Sequence, residues 1–133
     1  MSYGQIGKQA SKYREMQVLA ASPGELIIMV YDHLLVQLLR AQAAPDLEAR
    51  SLSLEKARAA MCELLVTLDR EKGGALATQL AAIYSFLLGE LSTLGVRPDA
   101  RRFERITKIV RELRDAFATA VGESVPVARA ALA

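Results

Sequence analysis

The stretch Ser22-Pro23-Gly24-Glu25 constrains this chain more than any other, because it writes out a helix start in full. A serine at the N-cap accepts from the orphan N–H groups of the first turn. A proline at the next position loses only an N–H that has no helical partner. A glutamate three residues after the cap reaches back to the cap's own N–H. Leu26 to Leu39 follow, apolar on nearly every side and interrupted only by Asp32, His33 and Gln37. A surface helix needs one apolar stripe, whereas a helix apolar around most of its circumference needs partners on several sides. Ser22, Pro23 and Glu25 are thus predicted to be the structural cap of a heavily covered helix.

Three further helices follow from period and punctuation. Helix one is predicted from about Gly24 to about Gln42 and stops at Ala44-Pro45, since the residue before proline is driven out of the helical region. Asp46 caps helix two, whose seam Leu54, Ala57, Met61, Leu64 and Leu68 repeats by three and four and runs on to about Glu71. Gly73-Gly74 is predicted to end it. Helix three starts near Ala75 with the seam Leu76, Leu80, Ile83, Leu87, Leu91 and Leu94, and Gly95 closes it ahead of Pro98. Asp99 caps helix four, with Phe103, Ile106, Val110, Leu113 and Phe117 as its seam and Gly122 as its end. No stretch alternates as a strand would. Short connections force antiparallel neighbours, so the expected fold is all-α: an antiparallel up-down four-helix bundle over residues 21–122. Residues 1–20 form a flexible N-terminal strap or short helix carrying Ile6, Tyr13 and Met16, and residues 123–133 a C-terminal tail.

Composition narrows the function classes. With 52% hydrophobic and 24% charged residues among 133, the chain can bury a core. A net charge of +2 argues against general electrostatic binding to nucleic acid. Asp32 and His33 break the best apolar run, so membrane insertion is not expected. No secretory leader is legible, and Cys62 is the single cysteine, which points to a reducing compartment and to the cytoplasm.

Catalytic and metal-ligating residues are not expected. With His33 as the sole histidine, a di-iron bundle and a zinc site both lack ligands, and no cofactor is implied. One alternative is a phosphotransfer bundle using His33, although no lysine follows closely to steady a phosphoryl group. Another is a helical adaptor for a second folded protein. Arg101, Arg102, Arg105, Lys108, Arg111 and Arg114 are interleaved with Glu104, Glu112 and Asp115, the pattern of a solvated helix face. The apolar surplus is the stronger signal. Leu26, Met29, Leu35, Val36 and Leu39 on helix one, Leu65 and Val66 on helix two, and Tyr84, Phe86 and Leu88 on helix three fall off the seams. Such a surplus predicts a groove between helices that receives an amphipathic or extended segment.

Several of these residues also form a familiar series. Tyr13 stands ten residues before Pro23; Ser22-Pro23-Gly24-Glu25-Leu26-Ile27 is followed by Met29-Val30-Tyr31-Asp32; then come Leu64 to Leu68-Asp69, Gly73-Gly74, Leu80 with Tyr84, and Leu113-Arg114-Asp115-Ala116. From about Tyr13 to about Val121 the chain resembles the flagellar export chaperones of the FliS family. It departs from them in having Phe117 where a tryptophan is common, and in the tail after Gly122. The resemblance implies a non-enzymatic cytoplasmic chaperone that binds the disordered C-terminal segment of flagellin, prevents premature polymerisation and aids secretion, with the export apparatus as a further partner. It also implies that the N-terminal strap occupies part of the client groove when no client is bound. Leu65, Tyr84 and Leu88, with Tyr31, are the predicted groove walls.

Overall fold

A computed structural model describes the backbone of residues 22–132 and the side chains of residues 22–122. Among the described residues there are four helices: α1 (Pro23–Ala43), α2 (Leu47–Val66), α3 (Arg70–Val96) and α4 (Ala100–Leu132). Connections of three residues join them, too short to do anything but reverse direction, so neighbours run antiparallel. α1 packs on α2 and α4, and α3 packs on α2 and, less extensively, on α4, which closes the bundle into a ring.

The predicted cap forms. Ser22 Oγ accepts from the Glu25 N–H at 3.2 Å, and Glu25 Oε2 accepts from the Ser22 N–H at 3.3 Å, with Pro23 in the first turn. Asp46 caps α2 through Oδ1, which accepts from the Ala49 N–H at 2.8 Å.

Three boundaries differ from the sequence expectation. α2 ends at Val66, not near Glu71. Thr67 closes it, its hydroxyl donating to the Leu64 carbonyl at 2.9 Å, and Asp69 opens α3 by accepting from the Glu71 and Lys72 N–H groups. An aspartate with two free N–H groups ahead of it competes better as a cap than as a residue inside a helix. Gly73-Gly74 therefore lies inside α3, and Gly74, at φ 53° and ψ −130°, breaks that helix after a single capped turn. α4 does not stop at Gly122. Among the described residues Gly74 is the only glycine with positive φ, so Gly122 never adopts the left-handed cap and the helix runs on to Leu132.

The core is lopsided along the bundle axis. Leu38, Leu54, Leu91, Leu94, Phe103 and Ile106 are buried at one end, as their seams predict. At the other end, where α1 starts, α2 finishes and α3 starts, Ile27, Leu68, Leu80, Leu113 and Phe117 are only partly covered. Leu76, assigned to the seam of helix three, is 63% exposed, because the buried face of α3 at this end runs through Ala77, Ala81 and Tyr84 instead.

By length and composition alone α1 and α3 are long and apolar enough to cross a membrane, Asp32 and His33 notwithstanding. The core helices of a water-soluble bundle pass the same test. Here Leu34 and Leu38 of α1 and Leu87, Leu91 and Leu94 of α3 are core residues.

Candidate functional site: an apolar groove at the open end of the bundle

Two clefts occupy the poorly covered end. The larger, about 600 Å³, lies between α1 and α2 and is lined by Pro23, Leu26, Ile27, Met29, Val30 and Leu64, with His33, Glu63 and Thr67 on its rim. The second, about 290 Å³, lies where α2 passes into α3; its lining includes Leu68, Asp69, Lys72, Leu76, Leu80, Tyr84 and Phe117. Ile27, Leu64 and Thr67 line both, so the two clefts adjoin around the end of α2.

The helix ends explain why the groove is left open. α2 stops at Val66 and its covering ends there. The capped turn 70–73 steps aside at Gly74, and α3 begins its regular course only beyond it. α4 holds its place along the opposite wall. Arg114 grips Asp32 of α1, with Nε to Oδ1 at 2.9 Å and Nη2 to Oδ2 at 3.4 Å. The Gly24 backbone lies against Val121, where an added Cβ would meet a Val121 methyl at 3.0 Å. The Phe117 ring tilts at 45° to Tyr31, with centroids 6.2 Å apart.

The predicted groove residues divide. Tyr84 borders the second cleft but is only 3% exposed, and Tyr31 is 2% exposed, so Tyr31 belongs to the core floor beneath the groove and not to an open wall. The two hydroxyls hydrogen-bond to each other across the bundle, linking α1 to α3. Burial pushes both above the ordinary tyrosine range; for Tyr31 the hydrogen bond to Tyr84 adds to the shift, while for Tyr84 the bond to Tyr31 opposes it. Leu65 and Leu88 are half-buried against the core and line neither cleft. Leu26, Met29, Leu76 and Phe117 supply walls that the groove prediction did not name. Leu26 and Met29 carried the signal already, as apolar residues left over from the seam. Ile6, Tyr13 and Met16 of the predicted strap lie outside the described residues.

The remaining candidates are placed as follows. His33 is exposed on the rim of the larger cleft. Cys62 is exposed on α2. On α4, Arg102 pairs with Glu90 at 3.0 Å and Arg114 with Asp32, while Arg101, Arg105, Lys108 and Arg111 are exposed among Glu104 and Glu112. That mixed ridge is the solvated face that its charge pattern predicts.

The family described as Flagellar protein FliS matches residues 6–124. The chain belongs to the FliS family. It is 32% identical over 107 residues to the flagellar secretion chaperone FliS of Salmonella typhimurium, covering 77% of this chain and 79% of that one. Identity to the flagellar secretion chaperone FliS of Campylobacter jejuni is 31% over 108 residues, 79% of this chain and 84% of the relative. With that of Bacillus subtilis it is 30% over 112 residues, 82% and 83% of the two chains. FliS is a family of chaperones and not of enzymes, in keeping with the non-enzymatic expectation. The matched span contains the whole groove, from Pro23 to Phe117.

Proposed function

We propose that this chain is a cytoplasmic chaperone of flagellar secretion whose apolar groove binds the C-terminal segment of flagellin, keeping subunits from polymerising until the export apparatus takes them. One observation carries this reading: two apolar clefts adjoin at Ile27, Leu64 and Thr67 and so offer neighbouring apolar surfaces to a foreign segment. Burying one leucine or methionine side chain is worth roughly 1.5–3 kcal/mol. A few such anchors on a segment that orders as it binds suffice for micromolar affinity after the ordering cost. Leu65 and Leu88 then act from behind, by packing the helices that form the walls, and Tyr31 with Tyr84 fixes the floor.

Pro23, in the first turn of α1, lines the larger cleft. A strap bearing Ile6, Tyr13 and Met16 that competes with the client lowers apparent affinity by the fraction of time the groove is covered. Removing residues 1–15 is then expected to tighten client binding.

The test is calorimetric titration of the full chain with a flagellin C-terminal peptide. Binding with a large negative heat-capacity change is expected, because apolar surface is buried and the peptide orders. Met29→Ser and Leu76→Ser are expected to weaken binding together while shifting the melting temperature little. Absence of heat, together with absence of a complex by gel filtration, rejects the proposal.

A further inference from the structure

The rim of the larger cleft carries one charge in an unusual setting. Glu63 lies in the last turn of α2, where the unpaired carbonyls give the helix end a partial negative charge and an anion is disfavoured. No basic residue stands in that turn to offset it. The positions three and four residues away along the helix are Ala59, Ala60, Val66 and Thr67, so no intrahelical cation is within reach. Ion pairs among the described residues join Arg102 with Glu90 and Arg114 with Asp32 and Asp115, and none includes Glu63. Across the cleft on α1 the polar rim group is His33, and the apolar lining is Leu26, Met29 and Val30. The second cleft differs: its carboxylate, Asp69, is engaged by two backbone N–H groups, and Lys72 lines the same wall.

A carboxylate without a cation, beside a negative helix end and at the edge of an apolar track, is suited to a cation arriving with the ligand. Resting on the client role proposed above, we infer that Glu63 receives a lysine or arginine of the bound segment. The groove then selects segments that carry a cation beside their apolar anchors and sets the register in which they lie. The bound segment covers the rim and lowers solvent screening there, so a charge-assisted hydrogen bond at Glu63 gains strength as the apolar residues seat.

The test uses the full chain and two substitutions, Glu63→Gln and, as a control on the same helix, Glu55→Gln, which lines neither cleft. Each protein is titrated with a flagellin C-terminal peptide and with versions in which each lysine or arginine is replaced singly by norleucine. Glu63→Gln is expected to weaken binding of the parent peptide about tenfold, as for loss of one charged hydrogen bond, and Glu55→Gln to leave it unchanged. One peptide replacement is expected to lose a similar factor against the unsubstituted chain and nothing further against Glu63→Gln. Equal affinity of Glu63→Gln and the unsubstituted chain overturns the inference and leaves the client role standing, as does strict additivity for every peptide cation. If the unsubstituted chain binds no peptide, the client role falls and the inference falls with it.

Discussion

Replacing Tyr84 by phenylalanine removes one oxygen from the middle of the bundle and leaves another without a partner. Tyr31 is 2% exposed and Tyr84 3%, and their hydroxyls bond to each other, so water cannot readily substitute for the missing partner. A neutral hydrogen bond contributes only about 1 kcal/mol net, but a buried group left unsatisfied costs its desolvation, about 1–3 kcal/mol. Tyr84→Phe and Tyr31→Phe are therefore each expected to destabilise by about 2 kcal/mol. In a chain of this size that lowers the melting temperature by roughly 6–8 °C. The double substitution removes both polar groups and keeps both rings, including the contact of Tyr31 with Phe117, so it is expected to cost less than either single change. The assay is urea unfolding of the four proteins, followed by circular dichroism and arranged as a double-mutant cycle. Strict additivity, with the double variant losing about 4 kcal/mol, refutes a coupled hydroxyl pair. The pair also has a pH signature. Both pKa values are raised by burial, so the native state holds these protons more tightly than the unfolded chain does. The associated stability is complete below the ordinary tyrosine pKa near 10 and is lost as pH climbs beyond it towards the native values. The double phenylalanine variant is expected to flatten that alkaline decline.

Other substitutions separate local rules from packing. Gly74→Ala forces a side chain into positive φ and is expected to destabilise by about 1 kcal/mol or more, whereas Gly89→Ala, inside α3 with nothing near its Cβ, is expected to stabilise by about 0.5–1 kcal/mol; thermal melts of the two distinguish them. Ser22→Ala removes the cap of α1 and is expected to cost about 1 kcal/mol by urea titration, with faster amide exchange in the first turn. Leu38→Ala empties a fully buried site and is expected to cost about 3–5 kcal/mol in the same titration, far more than Leu39→Ala next to it, which is exposed.

Much of the fold is legible because it rests on local rules. The Ser22 capping box, the Asp46 and Asp99 caps and the stop at Pro45 depend on residues within four positions of one another. The seams Leu54-Ala57-Met61-Leu64 and Phe103-Ile106-Val110 are buried as their period requires. Where local signals compete, the outcome is less legible. Gly73-Gly74 reads as the end of helix two, whereas the structure uses Asp69 as the cap of α3 and Gly74 as a break within it. Gly122 reads as a terminus, yet a glycine merely permits one.

The amino-acid sequence by itself determined the helical class, the number of rods, most of their ends and a surplus of apolar residues, because helix period and capping act over one or two turns. Only the tertiary structure decided which of that surplus is covered. Tyr31 and Tyr84, fifty-three residues apart, meet and are buried, and Gln37 is buried despite its amide. Leu26, Met29 and Leu76 remain as groove lining where α2 ends and α3 steps aside. Burial of a helical residue depends on which neighbouring helix lies over it, and that is set by packing between segments distant along the chain.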